Sequence, residues 1–142
     1  MEDNHKKSNN TSLIKNGRFV FANGDEYDGT YQLNNSGSIE RHGQGVFKTQ
    51  EGTIYSGHWM NDKMNGRGVF THPSGCQYEG EFKDGYFEGH GKYTWPDGSV
   101  YEGDFKKSKL FGKGYFTDPT KQTWIGKFEG DITTKLKFKL NM

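Results

Sequence analysis

Five histidines, one cysteine and a recurring set of carboxylates are the side chains with which this sequence could do chemistry. His5, His42, His58, His72 and His90 form no His-x-x-x-His pair, and Cys76 has no second cysteine, so neither metal-ligand spacing is present. Gly89-His90-Gly91 and its copies look like phosphate-cradling loops. Such a loop needs a helix N-terminus behind it to face the anion, and no helical period follows. Glu79, Glu81, Glu102 and Asp104 recur beside Tyr-x-Gly triplets. For acid–base work two carboxylates must converge on one reacting group. Strand alternation instead spreads these on the face away from the rings, as solvated charges. Neither a metal nor another cofactor is expected, and the chain reads as non-catalytic.

What positions these residues is a tandem repeat. Glycines fall into columns 23 residues apart: Gly43, Gly66, Gly89 and Gly112; Gly17, Gly45, Gly68, Gly91 and Gly114; Gly24, Gly52, Gly75 and Gly98; Gly29, Gly57, Gly80, Gly103 and Gly126. Only the first interval differs, being 28 residues between Tyr27 and Tyr55. Three aromatic columns run in step. They are Tyr27, Tyr55, Tyr78, Tyr101 and Trp124; Tyr31, Trp59, Phe82, Phe105 and Phe128; and Phe19, Phe47, Phe70, Tyr93 and Phe116. A set this periodic is first of all structural.

Within each copy the apolar period is two, the signature of strand. Phe19 and Phe21 alternate with Arg18 and Val20, Asn23-Gly24 interrupts, and Tyr27, Gly29 and Tyr31 alternate again. Pro73, Pro96 and Pro119 precede the turn of their copies, where a fixed φ favours a type I turn. The expected fold is all-β, an elongated single-layer twisted ribbon of about five tandem β-hairpins. Strands of about five residues are expected, joined by six- to nine-residue connections that contain Gly-x-Gly. An apolar residue two before that motif (Met64, Phe87, Leu110) is expected to tuck beneath the connection, with Arg41 in its place in the first full copy. The longer interval places a polar loop at Asn34 to His42. The organisation is a polar disordered tail over 1–12, the repeat array over 13–132, and a basic amphipathic tail over 133–142. That tail alternates Leu136, Phe138 and Leu140 with lysines and suits a capping strand.

Composition sets outer limits. Hydrophobic residues make up 30% of the chain, too few for a thick closed core, and half of them are aromatic. Residues 1–12 lack a signal peptide's apolar stretch, and no run approaches the length of a membrane span. A lone cysteine suits a reducing compartment, so a soluble cytoplasmic protein is expected.

Tyr-x-Gly-x-Phe/Trp, then Gly-x-Gly, then a turn glycine, resembles the MORN repeat (membrane occupation and recognition nexus) from Gly17 to Phe128. The resemblance implies a ribbon of hairpins serving as a protein-binding and sometimes membrane-apposing module. Small stand-alone members of the family imply germ-cell, cilium-related or vesicle-traffic settings, with association to vesicles or cytoskeleton.

Two surfaces are expected to carry the function. A single layer cannot bury both faces, so Tyr55, Trp59, Tyr78, Phe82, Tyr101 and Phe105 are expected to line a partly exposed groove. It would receive a helix or an extended peptide of a protein partner, with Glu79 or Glu102 at its margin drawing a basic one. The second surface is electrostatic. From Asp104 onward nine lysines face four acids, a net of +5, against −4 for the preceding residues. Lys106, Lys107, Lys109, Lys135, Lys137 and Lys139 would give a weak contact with an anionic membrane. Nucleic acid is disfavoured, because net charge is only +1 and the aromatics are spaced for a sheet. Open edges at the two ends of the ribbon permit a homodimer.

Overall fold

The computed structural model describes residues 13–132 and is all-β over that span. Ten strands follow one another: β1 (Lys15–Val20), β2 (Glu26–Leu33), β3 (Ile39–Lys48), β4 (Ile54–Met60), β5 (Lys63–Thr71), β6 (Gln77–Lys83), β7 (Tyr86–Thr94), β8 (Val100–Lys106), β9 (Lys109–Thr117) and β10 (Thr123–Asp131). Their order in the single open sheet is their order in the chain, and every neighbouring pair is antiparallel. The two terminal tails lie outside the described residues.

Two kinds of turn alternate along the ribbon. On one edge five-residue turns close through the glycine or proline signals: His72 N–H donates to the Cys76 carbonyl and Gly75 N–H to the His72 carbonyl, each at 2.9 Å. Gly24, Gly52, Gly75 and Gly98 take φ of 87–98° there, and Lys121 holds the same place at 74° in the last copy. On the other edge the β2–β3 turn, residues 34–38, also has five residues, while the later turns there have two, Asn61-Asp62, Asp84-Gly85 and Lys107-Ser108, all at positive φ. That geometry matches the twist of the strands it joins. Arg41 and Asp62, on neighbouring hairpins, form an ion pair at 2.6 Å on this edge.

The structure corrects the expected element lengths. Strands run from six to ten residues, because Gly-x-Gly lies inside β3, β5, β7 and β9 and not in a connection. The expected loop at Asn34 to His42 shrinks to a turn at residues 34–38, and Ile39 onward extends β3 against β2. Backbone groups in a strand find ladder partners that a loop of that length would lack.

Every Gly-x-Gly marks a bulge. Gly57 pairs with Gly68 and Trp59 with Met64, so His58 alone faces residues 65–67; β6–β7 and β8–β9 repeat the shift. Gly43, Gly66, Gly89 and Gly112 sit at these bulges with φ between 75° and 91°. Bulges bend the strand that carries them. Consequently the Tyr55 and Trp59 rings, which would stand ~13 Å apart along a flat strand, meet edge to face at 5.0 Å. Tyr78 and Phe82 meet at 5.0 Å and Tyr101 and Phe105 at 5.3 Å in the same way. The sheet is one layer folded into a trough, its floor the paired glycines and its filling the rings.

Candidate functional site: the aromatic trough and its rim

Each trough unit is built the same way. Tyr55 lies over Gly57 and Gly68, and its hydroxyl donates to the His58 carbonyl at 2.7 Å. Tyr27, Tyr78 and Tyr101 donate likewise to Thr30, Glu81 and Asp104 at 2.6, 2.7 and 3.2 Å. Those carbonyls belong to the residues facing the bulge, where the ladder is interrupted. Tyrosine therefore supplies both a ring for the core and a donor at its end.

The residues expected to line an exposed groove are the core itself. Tyr55, Trp59, Tyr78, Phe82, Tyr101 and Phe105 are between 0% and 3% exposed. The expectation of exposed rings is thus corrected: the bulges bring rings of successive strands into contact, as for Tyr55 with Phe82 at 4.9 Å and Tyr78 with Phe105 at 5.0 Å. The rings only partly buried where they pack against this core include Phe47, Phe70, Phe87 and Trp95. Phe87 stacks on Tyr78 at 4.0 Å and meets Phe70 at 5.7 Å, so it lies over the filling rather than under a connection.

Glu79 and Glu102 do not join the rings. They lie on the opposite face, as cross-strand neighbours on either side of Lys92. The expectation that they border the groove is corrected, since they alternate with Tyr78, Gly80 and Phe82, or Tyr101, Gly103 and Phe105, along their strands. His90 stands between Glu102 and Asp104, 3.9 Å from each, and is well exposed.

Lys106, Lys107 and Lys109 are gathered at the β8–β9 turn. Lys106 and Lys109 are cross-strand partners, and Lys106 Nζ lies 5.3 Å from the centre of the exposed Phe111 ring. The Lys107 backbone N–H donates to the Glu88 carboxylate at 2.9 Å. Lys135, Lys137 and Lys139 lie outside the described residues.

Two closures of the trough escaped sequence reasoning. Arg41 occupies the column of Met64, Phe87 and Leu110 by laying its guanidinium 4.2 Å over Trp59 and 4.8 Å over Phe47. A cation over an aromatic face replaces an apolar cover, and the signal was the arginine's place in an apolar column. At the other end Trp95 Nε1 donates to the Ile132 carbonyl at 3.0 Å, drawing the chain inward from β10. No periodic signal marks that contact, because Trp95 has no aromatic counterpart one period away, where His72 and Asp118 stand.

Burial pushes the phenols of Tyr27 and Tyr101 up to about 12, and raises those of Tyr55, Tyr78 and Tyr93 as well. A proton held more tightly in the folded state stabilises it fully below the unfolded value near 10. That contribution is lost as pH rises from there toward the folded values. We expect cooperative unfolding in alkali, with near-ultraviolet circular dichroism lost in step with tyrosinate absorbance above pH 10. Tyrosinate appearing with the fold intact would contradict it.

A family model described as the MORN repeat matches residues 40–54, 55–77, 78–100 and 101–123. Its boundaries at 55, 78 and 101 fall on the buried tyrosines. No curated protein matches the chain.

Proposed function

Because the chain belongs to the MORN repeat family, we propose that it is a non-catalytic interaction scaffold holding a segment of a larger protein against the rim of its aromatic trough. MORN repeats are in general protein- or membrane-binding motifs, and the family is in general non-catalytic. The observation that carries the proposal is that Phe47, Phe70, Phe87 and Trp95 stay only partly buried against a filled core, with Phe70 and Phe87 in ring contact at 5.7 Å. Partly exposed aromatic surface on a rigid support suits an apolar helix face or an extended peptide. The stretches Trp124 to Phe128 and Lys135 to Met142 resemble MORN repeat-containing protein 2. That resemblance supports a cytoplasmic setting on vesicles or cytoskeleton, in germ cells or cilium-related structures.

Phe70 and Val69 are neighbours in sequence on opposite faces, paired with Tyr78 and Glu79 respectively. A photoreactive phenylalanine analogue at position 70 is expected to cross-link a discrete protein in cells, and the same analogue at 69 is not. Equal labelling from both positions, or labelling from 69 alone, would reject the trough rim.

A second reading is contact with an anionic membrane, favoured by the convergence of Lys106, Lys107 and Lys109 at one hairpin tip beside Phe111. Sedimentation with anionic vesicles should then weaken in higher salt and on changing those three lysines to glutamine. Binding indifferent to both changes would exclude an electrostatic contact.

A further inference from the structure

The face turned away from the trough carries an ordered stripe of its own, made of Lys63, Lys83, Tyr86, Lys106, Lys109 and Phe111. Each adjoins in sequence a side chain that faces the trough, as Lys83 adjoins Phe82 and Lys106 adjoins Phe105, so alternation turns it outward. Lys83 pairs across the strands with Tyr86, and Lys106 with Lys109, beside the two-residue turns. All six are exposed, Tyr86 at 49% and Phe111 at 51%. None of the four lysines makes an ion pair within 4 Å among the described residues. Glu88, the acid inside the stripe, accepts instead from the Lys107 backbone N–H.

The repeat fixes the spacing of this charge. Lys83 and Lys106 share a column two strands apart, which sets them ~10 Å apart along the ribbon. A polyproline-II segment advances ~9.3 Å in three residues and then returns to the same face. Carboxylates three residues apart on such a segment meet Lys83 and Lys106 in turn, with the residues between them over the Tyr86 ring. The same face is not uniformly basic. Glu81 and Asp104 lie two residues inward of Lys83 and Lys106, and Glu81 and Glu88 line a shallow depression of about 340 Å³ beside Lys83. A lipid surface or a nucleic acid, charged throughout, would press phosphates against these acids. A peptide carries charge only where a lysine meets it.

We propose that this stripe docks an acidic, proline-containing segment of a partner protein, in polyproline-II form with a carboxylate at every third residue. Lys106 and Lys109 also belong to the hairpin tip considered for an anionic membrane, whereas Lys83 and Tyr86 do not. The site lies on the face opposite the trough rim and does not depend on it.

Fluorescence anisotropy of the full chain with a labelled peptide of four Glu-Pro-Pro repeats tests it. Binding is expected in low salt and is expected to weaken as salt rises. Lys83→Gln with Lys106→Gln is expected to weaken it at least about fivefold, the scale of two exposed ion pairs. Tyr86→Ser, which changes no charge, is expected to weaken it by about threefold or more. Lys48→Gln with Lys121→Gln removes the same charge at the edge of the five-residue turns and is expected to change binding by less than about twofold. The replaced side chains are all exposed, so the β-type circular dichroism of each variant is expected to match the parent. A peptide of the same composition with its glutamates in one block is expected to bind more weakly. No binding of the repeat peptide overturns the proposal. So does equal binding of the block peptide, equal loss from the control pair, or an unaffected Tyr86→Ser variant. Anionic vesicles or polyuridylate held through Lys83 and Tyr86 in place of the peptide would assign the stripe to a uniform polyanion and overturn it as well.

Discussion

Gly91→Ala is expected to cost about 3 kcal/mol, the upper end for overpacking a filled core. The new methyl would lie 2.4 Å from the Tyr78 hydroxyl oxygen and 2.5 Å from two of its ring carbons. Tyr78 has nowhere to retreat, being stacked on Phe87 at 4.0 Å and wedged edge to face between Phe82 and Phe105, each at 5.0 Å. Moving the ring would also break its hydrogen bond to the Glu81 carbonyl. Gly126→Ala is the matched control: the residue type and column are shared with the inner glycines, but no described residue lies within 4 Å of a Cβ there. It should shift the urea midpoint of dilute protein by no more than about 0.5 kcal/mol equivalent. A Gly91→Ala variant as stable as this control would show that the ring does not need the bare backbone.

Changing Trp59 and Phe82 together to alanine is expected to unfold the middle of the array. Each truncation of a buried large ring costs about 3–5 kcal/mol. Together they approach or exceed half the stability of an ordinary domain, about 5–15 kcal/mol. Both rings touch Tyr55, at 5.0 and 4.9 Å, so the losses are coupled and need not add. Trp59 also gives up its indole donation to the Gly45 carbonyl at 3.2 Å. The readout is far-ultraviolet circular dichroism at room temperature, where the β signal should fall sharply. Retention of that signal with loss of a binding partner would instead mean that these two rings form an open groove.

The contrast between those outcomes shows what was legible in the sequence. Spacing alone disclosed the hairpins, the single sheet, the turn glycines and the common face of Tyr78, Gly80 and Phe82. It did not disclose that this face closes on itself. Closure depends on Gly66, Gly89 and Gly112 adopting positive φ inside strands, and a Gly-x-Gly motif reads equally well as a loop. The two-residue turns were hidden for a related reason, since Asn61-Asp62 and Lys107-Ser108 reach positive φ without glycine. Arg41 was visible as an exception in its column, but only geometry shows it stacked over Trp59. Glu79 and Glu102 were correctly on the far face by alternation, and assigning them to the margin of the groove set that rule aside.

Strict agreement between strand order and chain order has a kinetic consequence. All-β proteins usually fold slowly because distant segments must find each other before any contact repays the closure entropy. Here, among the described residues, each strand pairs only with the strands just before and after it in the chain. Loop-closure costs stay those of successive short hairpins. The array can assemble by adding one hairpin at a time to a growing edge, including during synthesis from the N-terminus, in the manner of a zipper rather than a knot.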